Sequence, residues 1–262
     1  MLGTPIGRTV RLAGAALAGA MAVVPAGATD AGDRTSFIEA NVLAIFYHEL
    51  AHATIDLLDV PIFGQEEDAA DVMAVLLIDR MFEEAAARDL AADSAFGYLD
   101  AEALAGEGAP PDYWDLHGPD EQRFYNHVCL FYGADPEGRA ELAGDMGLPE
   151  ERAETCADEF AHAADAWESV FAEMEDAGEA GGGAGLALME VGGNEPGASL
   201  LARTLREEIA ALNEALALPE PVRVRVEPCG EANAFYDPQR AAITMCTEFV
   251  AYLERVFEAV EE

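Results

Sequence analysis

The sequence predicts an α+β fold, mainly α, with a small C-terminal β-hairpin or sheet. Three observations carry this. Residues 40 to 58 form an apolar run with no Gly or Pro, too long for an ordinary strand and well sized for a helix. Further long stretches repeat apolar residues at helical spacing, as in Phe160, Ala164, Trp167 and Phe171. Near the end, Val222 to Val226 alternates Val with Arg, the period of a strand. Phe235-Tyr236 and Ala241 to Met245 then flank a turn at Asp237-Pro238, which reads as a hairpin.

The chain opens on a predicted secretory signal peptide, residues 1 to 28. Arg8 and Arg11 give a positive start, and Leu12 to Val24 is an Ala-rich apolar core. Ala26-Gly27-Ala28 fits the small-x-small rule for cleavage after Ala28. The apolar run is shorter than the ~20 residues that span a bilayer. The expected product is exported, periplasmic or secreted, with no stable membrane insertion. Residues 29 to 262 then form one domain.

The first helix carries Tyr47-His48-Glu49-Leu50-Ala51-His52, which reads His-Glu-x-x-His. Residues four apart share a helix face, so His48 and His52 can bind one metal ion. Glu49 stands beside the first ligand, where it can act as a base. Chance produces this pentapeptide often, but usually on polar helices. Here it lies in an apolar one, where two histidines and a glutamate are costly to bury without a partner.

Neither Ile55 nor Leu58 supplies the Gly or third His of one known continuation of the motif. The third ligand is therefore sought on the next helix. The turn Asp59-Val60-Pro61-Ile62-Phe63-Gly64 leads into Gln65-Glu66-Glu67-Asp68-Ala69-Ala70-Asp71 and the apolar run Val72 to Ile78. From His52 to Leu58 the helix rises ~9 Å, and six residues span up to ~20 Å, enough to return alongside. Glu67 can then complete a His-His-Glu zinc site, and Asp71 can accept the free N–H of a ligand histidine.

Glu-x-x-x-Asp on the helix after His-Glu-x-x-His resembles the gluzincin metallopeptidases. Two further stretches narrow the likeness: Trp114 to Tyr125 (WDLHGPDEQRFY) and Cys229 to Pro238 (CGEANAFYDP). With them the chain resembles a family of exported bacterial proteins classed as metallopeptidases, of unknown function. The resemblance implies a zincin-like core and a zinc ion, and it raises His117 as a substrate or oxyanion contact. Tyr236, on a strand near such a cleft, could present its hydroxyl to a developing oxyanion. Arg123 reads as a structural ion pair, and His127 and His162 as structural or exposed.

Between these motifs, Arg80 to Ala92 reads as helix, Gly106 to Pro111 as a break, and Asp112 to Gly118 as irregular. Asp120 reads as the N-cap of a helix from Glu121 to Tyr132. Helices follow at Pro149 to Glu175, Leu200 to Leu216 and Thr247 to Val260. Residues 177 to 199 are rich in Gly, Ala and Glu and read as a flexible loop, although Leu186 to Val191 could dock.

Composition bounds the partners. The net charge is −37, falling to −39 once residues 1 to 28 with their two arginines are removed, and there is no lysine. Such a surface repels nucleic acid and anionic lipid. Four cysteines in an exported chain suggest two disulfides. Pairing in order, Cys129–Cys156 and Cys229–Cys246, closes the shortest loops. The expected function is a zinc-dependent hydrolase, most simply a peptidase acting on a peptide or protein. The alternatives are a non-catalytic binding or regulatory module and a zinc hydrolase of a non-peptide bond.

Overall fold

The computed structural model describes residues 26–99, 104, 110–190 and 197–261. The first helix, α1 (Ala26–Leu57), begins well before the predicted start. Most of the predicted leader lies outside the described residues. From Phe37 onward α1 runs through the centre of the molecule, with Val42, Phe46, Tyr47, Leu50, Ala51 and Ala53 almost fully buried. A helix that is apolar all round needs cover all round. Two of its buried polar side chains are satisfied by main-chain carbonyls: Asn41 Nδ2 donates to those of Phe37 (2.8 Å) and Asp93 (3.0 Å), and Thr54 Oγ1 to that of Leu50 (2.8 Å).

After α1 the chain reverses through residues 58 to 65, with Asp59 in the left-handed region at φ 49°. It returns antiparallel as α2 (Glu66–Met81), which brings the acidic first turn of α2 beside the histidines of α1. Then come α3 (Glu84–Ala95), a 3₁₀ turn at Phe96–Tyr98, α4 (Asp120–Ala134), α5 (Ala140–Asp145) and α6 (Glu150–Ala180). Asp120 lies inside the first turn of α4, and Pro119 takes the cap position. The predicted stripe on α6 faces the core, with Trp167 and Phe171 buried. Helices α4 and α6 cross closely at Gly133, where a Cβ would lie 2.1 Å from the Cys156 carbonyl oxygen. The Cys129–Cys156 disulfide joins them there.

The C-terminal half builds a four-stranded sheet: β1 (Leu186–Glu190), β2 (Val222–Glu227), β3 (Ala234–Asp237) and β4 (Ala242–Cys246), in the order β1-β2-β4-β3. Helix α7 (Ala198–Ala215) connects the parallel pair β1 and β2, and α8 (Glu248–Glu261) closes the chain. The predicted hairpin is present as antiparallel β3 and β4, and β2 extends the sheet parallel to β4. Residues 177 to 190 are more ordered than composition alone suggests. Helix α6 continues to Ala180, and Leu186–Glu190 pairs with β2. Five residues amid Gly and Ala are too few for a strand period to stand out. Residues 191–196 lie outside the described residues.

Strand β3 is a sheet edge. Cys246 N–H donates to the Asn233 carbonyl, and the ladder alternates from there. Phe235 therefore turns its main-chain groups to β4, and Ala234 and Tyr236 turn theirs outward.

Both disulfides form in the expected order, Cys129–Cys156 and Cys229–Cys246, with no free cysteine among the described residues. No helix of the described residues is long and apolar enough to cross a membrane, and both features are compatible with an exported protein. The sequence separations are 27 and 17 residues. An entropic model of closed loops gives each bond ~3 kcal/mol. Paired Cys→Ser variants are expected to lose about that much in denaturant unfolding. A non-reduced digest should contain both linked peptides and no crossed ones.

Candidate metal centre

His48 and His52 sit one turn apart on α1, and Glu67 faces them from the first turn of α2. Glu67 Oε2 lies 3.1 Å from His48 Nε2 and 3.2 Å from His52 Nε2, and the two Nε2 atoms are 3.2 Å apart. These three form the candidate metal-holding group among the described residues. Bonds of 2.0–2.1 Å around a tetrahedral zinc ion put neighbouring ligands ~3.3 Å apart. The donor triangle therefore fits such an ion without rearrangement. Two imidazole nitrogens and one carboxylate oxygen are also a donor set that zinc accepts.

Each ring is aimed by a carboxylate behind it. Asp71 Oδ1 is 2.8 Å from His48 Nδ1, and Glu66 Oε1 is 2.8 Å from His52 Nδ1. A donated Nδ1–H fixes the tautomer and leaves the Nε2 lone pair free for a metal. Asp71 is itself clamped. Arg123, on the first turn of α4, donates from Nε to Oδ2 at 2.8 Å and from its terminal nitrogen to Oδ1 at 2.9 Å. The guanidinium stacks 4.6 Å from the centre of the Tyr98 ring, and Tyr98 OH donates to Asp71 at 3.3 Å. The result is a chain of contacts from Arg123 through Asp71 to His48.

The electrostatics favour a cation at the centre. Burial opposes charge on His48, but the hydrogen bonds to Asp71 and Glu67 carry its pKa up to about 9. Hydrogen bonds from His117, His48 and His52 hold Glu67 well below the usual carboxylate range. Burial works against the charge on Asp71, yet Arg123 and His48 keep it well below its ordinary value. A metal competes with protons for such a set, so its affinity rises with pH.

Glu49 is buried and stands outside the donor triangle. Burial pushes its pKa up, while His48 and His52 and the main-chain N–H of Tyr236 pull it down. That N–H is an outward-facing donor of β3, so the sheet edge holds the glutamate directly. The Tyr236 side chain takes a different direction, its hydroxyl donating to Asp56 on α1 at 2.8 Å. His117 lies in the irregular segment before α4, half-exposed, with Nε2 3.0 Å from Glu67 Oε2 and Nδ1 3.2 Å from Asp115. An open cleft of about 820 Å³ is lined by the donors together with Leu116 and His117 and with Asn233 to Tyr236.

Three of these contacts escape sequence reasoning. Glu66 supports His52, but it sits in an acidic run where composition cannot single it out. Arg123 reads as a generic ion pair, although a cation three residues into a helix after His-Gly-Pro was a usable signal. The Tyr236 N–H has no side-chain signature at all. His127 is buried, as a structural histidine should be, with Nε2 3.1 Å from the Ala91 carbonyl and 3.3 Å from Ser94 Oγ.

Burial drives the pKa of His127 down from 6.5 to about 4. The folded state therefore binds this proton more weakly than the unfolded state. Its contribution to stability is complete above about pH 6.5 and is lost as pH falls through that value towards 4, up to about 3 kcal/mol. Denaturant unfolding across this range should show a steeper acid loss in wild type than in His127→Gln. Identical slopes would rule the effect out.

No curated protein and no solved structure matches the chain. A protein-family model described as "Putative metallopeptidase" matches residues 18–171 and 198–262. The match contains α1, the donors on α2, the His117 segment, Arg123 and the β3–β4 hairpin, and it omits β1 and the end of α6. With most of its length matched and its candidate donors inside the match, the chain belongs to the family so described, whose function is not known.

Proposed function

We propose that the protein is a zinc-dependent peptidase of gluzincin type, with zinc held by His48, His52 and Glu67. The observation that carries this is the convergence of three donors, each 3.1–3.2 Å from the others, at the floor of an open cleft. Zinc bound there would lower the pKa of a coordinated water and polarise the scissile carbonyl. Glu49 takes the proton of the attacking water and returns it to the departing amine. Its burial favours the protonated form, and the Tyr236 N–H steadies the ionised one, so it can serve in both directions. Asp71 and Glu66 hold the histidine rings in the tautomer that leaves Nε2 free.

His117 is the better candidate for the oxyanion. Its Nε2 already lies at the donor triangle, whereas the Tyr236 hydroxyl is engaged by Asp56. Tyr236 then serves through its main chain, as a positioning residue for Glu49. The main-chain donors of β3 are also largely committed. Tyr236 N–H goes to Glu49, and Ala234 N–H to Asn233 Oδ1 at 2.9 Å. An extended substrate can use the outward carbonyls of β3, not those two N–H groups.

A retained base disfavours a purely structural or regulatory module, since such a site has no use for Glu49. The test is metal analysis of the purified protein together with digestion of an unbiased peptide library. Stoichiometric zinc and cleaved peptides are expected. His117→Ala should keep the metal and lose roughly 100-fold in kcat. Unchanged turnover in that variant would take His117 out of the mechanism, and protein free of stoichiometric metal would end the peptidase reading.

A further inference from the structure

The cleft is far larger than one peptide bond, so its walls help to decide what enters. Two features of these walls are independent of the metal donors. The first is apolar. Large apolar side chains are exposed on two of the segments that line the opening, the loop before α4 and strand β3. Leu116 (72% exposed) lines the cleft on the same loop as Trp114 (82%) and Tyr113 (80%). Phe235 (43%) also lines the cleft, from strand β3, and Phe63 (99%) lies on the turn that leads to Gln65 and Glu66. Of the large apolar side chains exposed among the described residues, Leu116 and Phe235 line this opening, and Tyr113, Trp114 and Phe63 lie within three residues of lining positions. Such grouping marks a binding surface more often than chance.

The second feature is charge. Beyond Glu49 and Glu67, the cleft is lined by the carboxylates of Asp56 and Glu66. Arg123 is the only Arg among the described lining residues, and its Nε and one terminal nitrogen are committed to Asp71. The whole chain carries −37 with no lysine, and a field of that sign draws cations towards clefts. It also repels a second copy of the chain and anionic lipid.

We propose that the cleft selects cationic, amphipathic polypeptide segments. A bulky apolar side chain is seated against the exposed apolar lining of Leu116 and Phe235, and neighbouring Arg or Lys residues face Asp56 and Glu66. That the bound segment is then cut rests on the peptidase reading above. The selectivity is a binding property and can be measured without turnover. General attraction to an acidic surface would accept any cation, so the apolar contact is the distinguishing element.

The test uses the metal-loaded Glu49→Gln protein and three labelled peptides followed by fluorescence anisotropy. One alternates Lys with Leu and Phe. The second has Glu in place of Lys. The third keeps Lys and has Ser in place of Leu and Phe. The first should bind at least about tenfold more tightly than either other, and weaken about fivefold or more from roughly 50 to 500 mM NaCl. Adding W114S and L116S together should cost about tenfold or more, with metal content and Tm unchanged. Equal binding of the Glu or Ser peptide would overturn the proposal, as would an unchanged Kd in the double variant. Light scattering that shows these substitutions splitting a dimer, with peptide binding intact, would assign the rim to a second copy and overturn it too. Digestion by wild type separates the two readings. Binding of the Lys peptide with no cleavage of any peptide would remove the peptidase reading and leave the selectivity. Preferred cleavage of acidic or small-residue peptides would do the reverse.

Discussion

Glu49→Gln is expected to keep the metal and lose roughly 10²- to 10⁴-fold in turnover, the usual contribution of a general base. The substitution preserves size in a buried position, and the amide oxygen can still accept the Tyr236 N–H. Only the capacity to take a proton is removed. Glu49 is not one of the three converging donors, so metal content should not change. His48→Ala, His52→Ala and Glu67→Ala should behave in the opposite way, each losing metal and activity together. Metal analysis and kcat on one cleaved peptide, measured side by side, separate the two classes. A fully active Glu49→Gln enzyme would dismiss Glu49 as the base. Normal metal binding by Glu67→Ala would move the third ligand elsewhere.

The parts of the site legible in the sequence are those written in helical spacing. His48 and His52, and then Glu67 and Asp71, each lie four residues apart. The turn between the helices is short enough that only an antiparallel return is economical. The disulfides were legible for a similar reason, since local loops close at the least entropic cost. What could not be read depends on tertiary approach. Arg123 lies 52 residues from Asp71 and reaches it only because α4 packs against α2. Glu66 and Glu67 are adjacent and chemically alike, and only the helix phase sends one to Nδ1 of His52 and the other to the donor triangle. The hold on Glu49 comes from a backbone N–H freed by the alternation of an edge strand, for which any residue type would serve. Strand β1 was obscured because its partner β2 lies beyond a whole helix, so that burial decides it where local pattern does not.

Arg123→Ala is expected to weaken metal binding by roughly 10- to 100-fold, as the loss of an outer support for a metal ligand does. The residue touches none of the three donors. It acts through Asp71, whose two oxygens it engages at 2.8 and 2.9 Å while stacking on Tyr98. Both side chains are largely buried, at 14% and 18% exposure. Removing the cation leaves Asp71 with only His48 and Tyr98 in a place that disfavours its charge. Breaking a buried pair from one side costs roughly 3 kcal/mol, a fall of about 6–12 °C in Tm for a chain of this size. Lysine should rescue only part of either loss, because an ammonium cannot make two parallel bonds or stack as a guanidinium does. Arg123 also borders the cleft, so a direct role in substrate binding is the rival account. The two differ in what they move. A positioning residue changes the metal dissociation constant of the substrate-free protein. A substrate contact raises KM and leaves that constant alone. Titration of a competing chelator against wild type, Arg123→Lys and Arg123→Ala decides between them, and equal metal affinity in all three would sever the chain from Arg123 to His48.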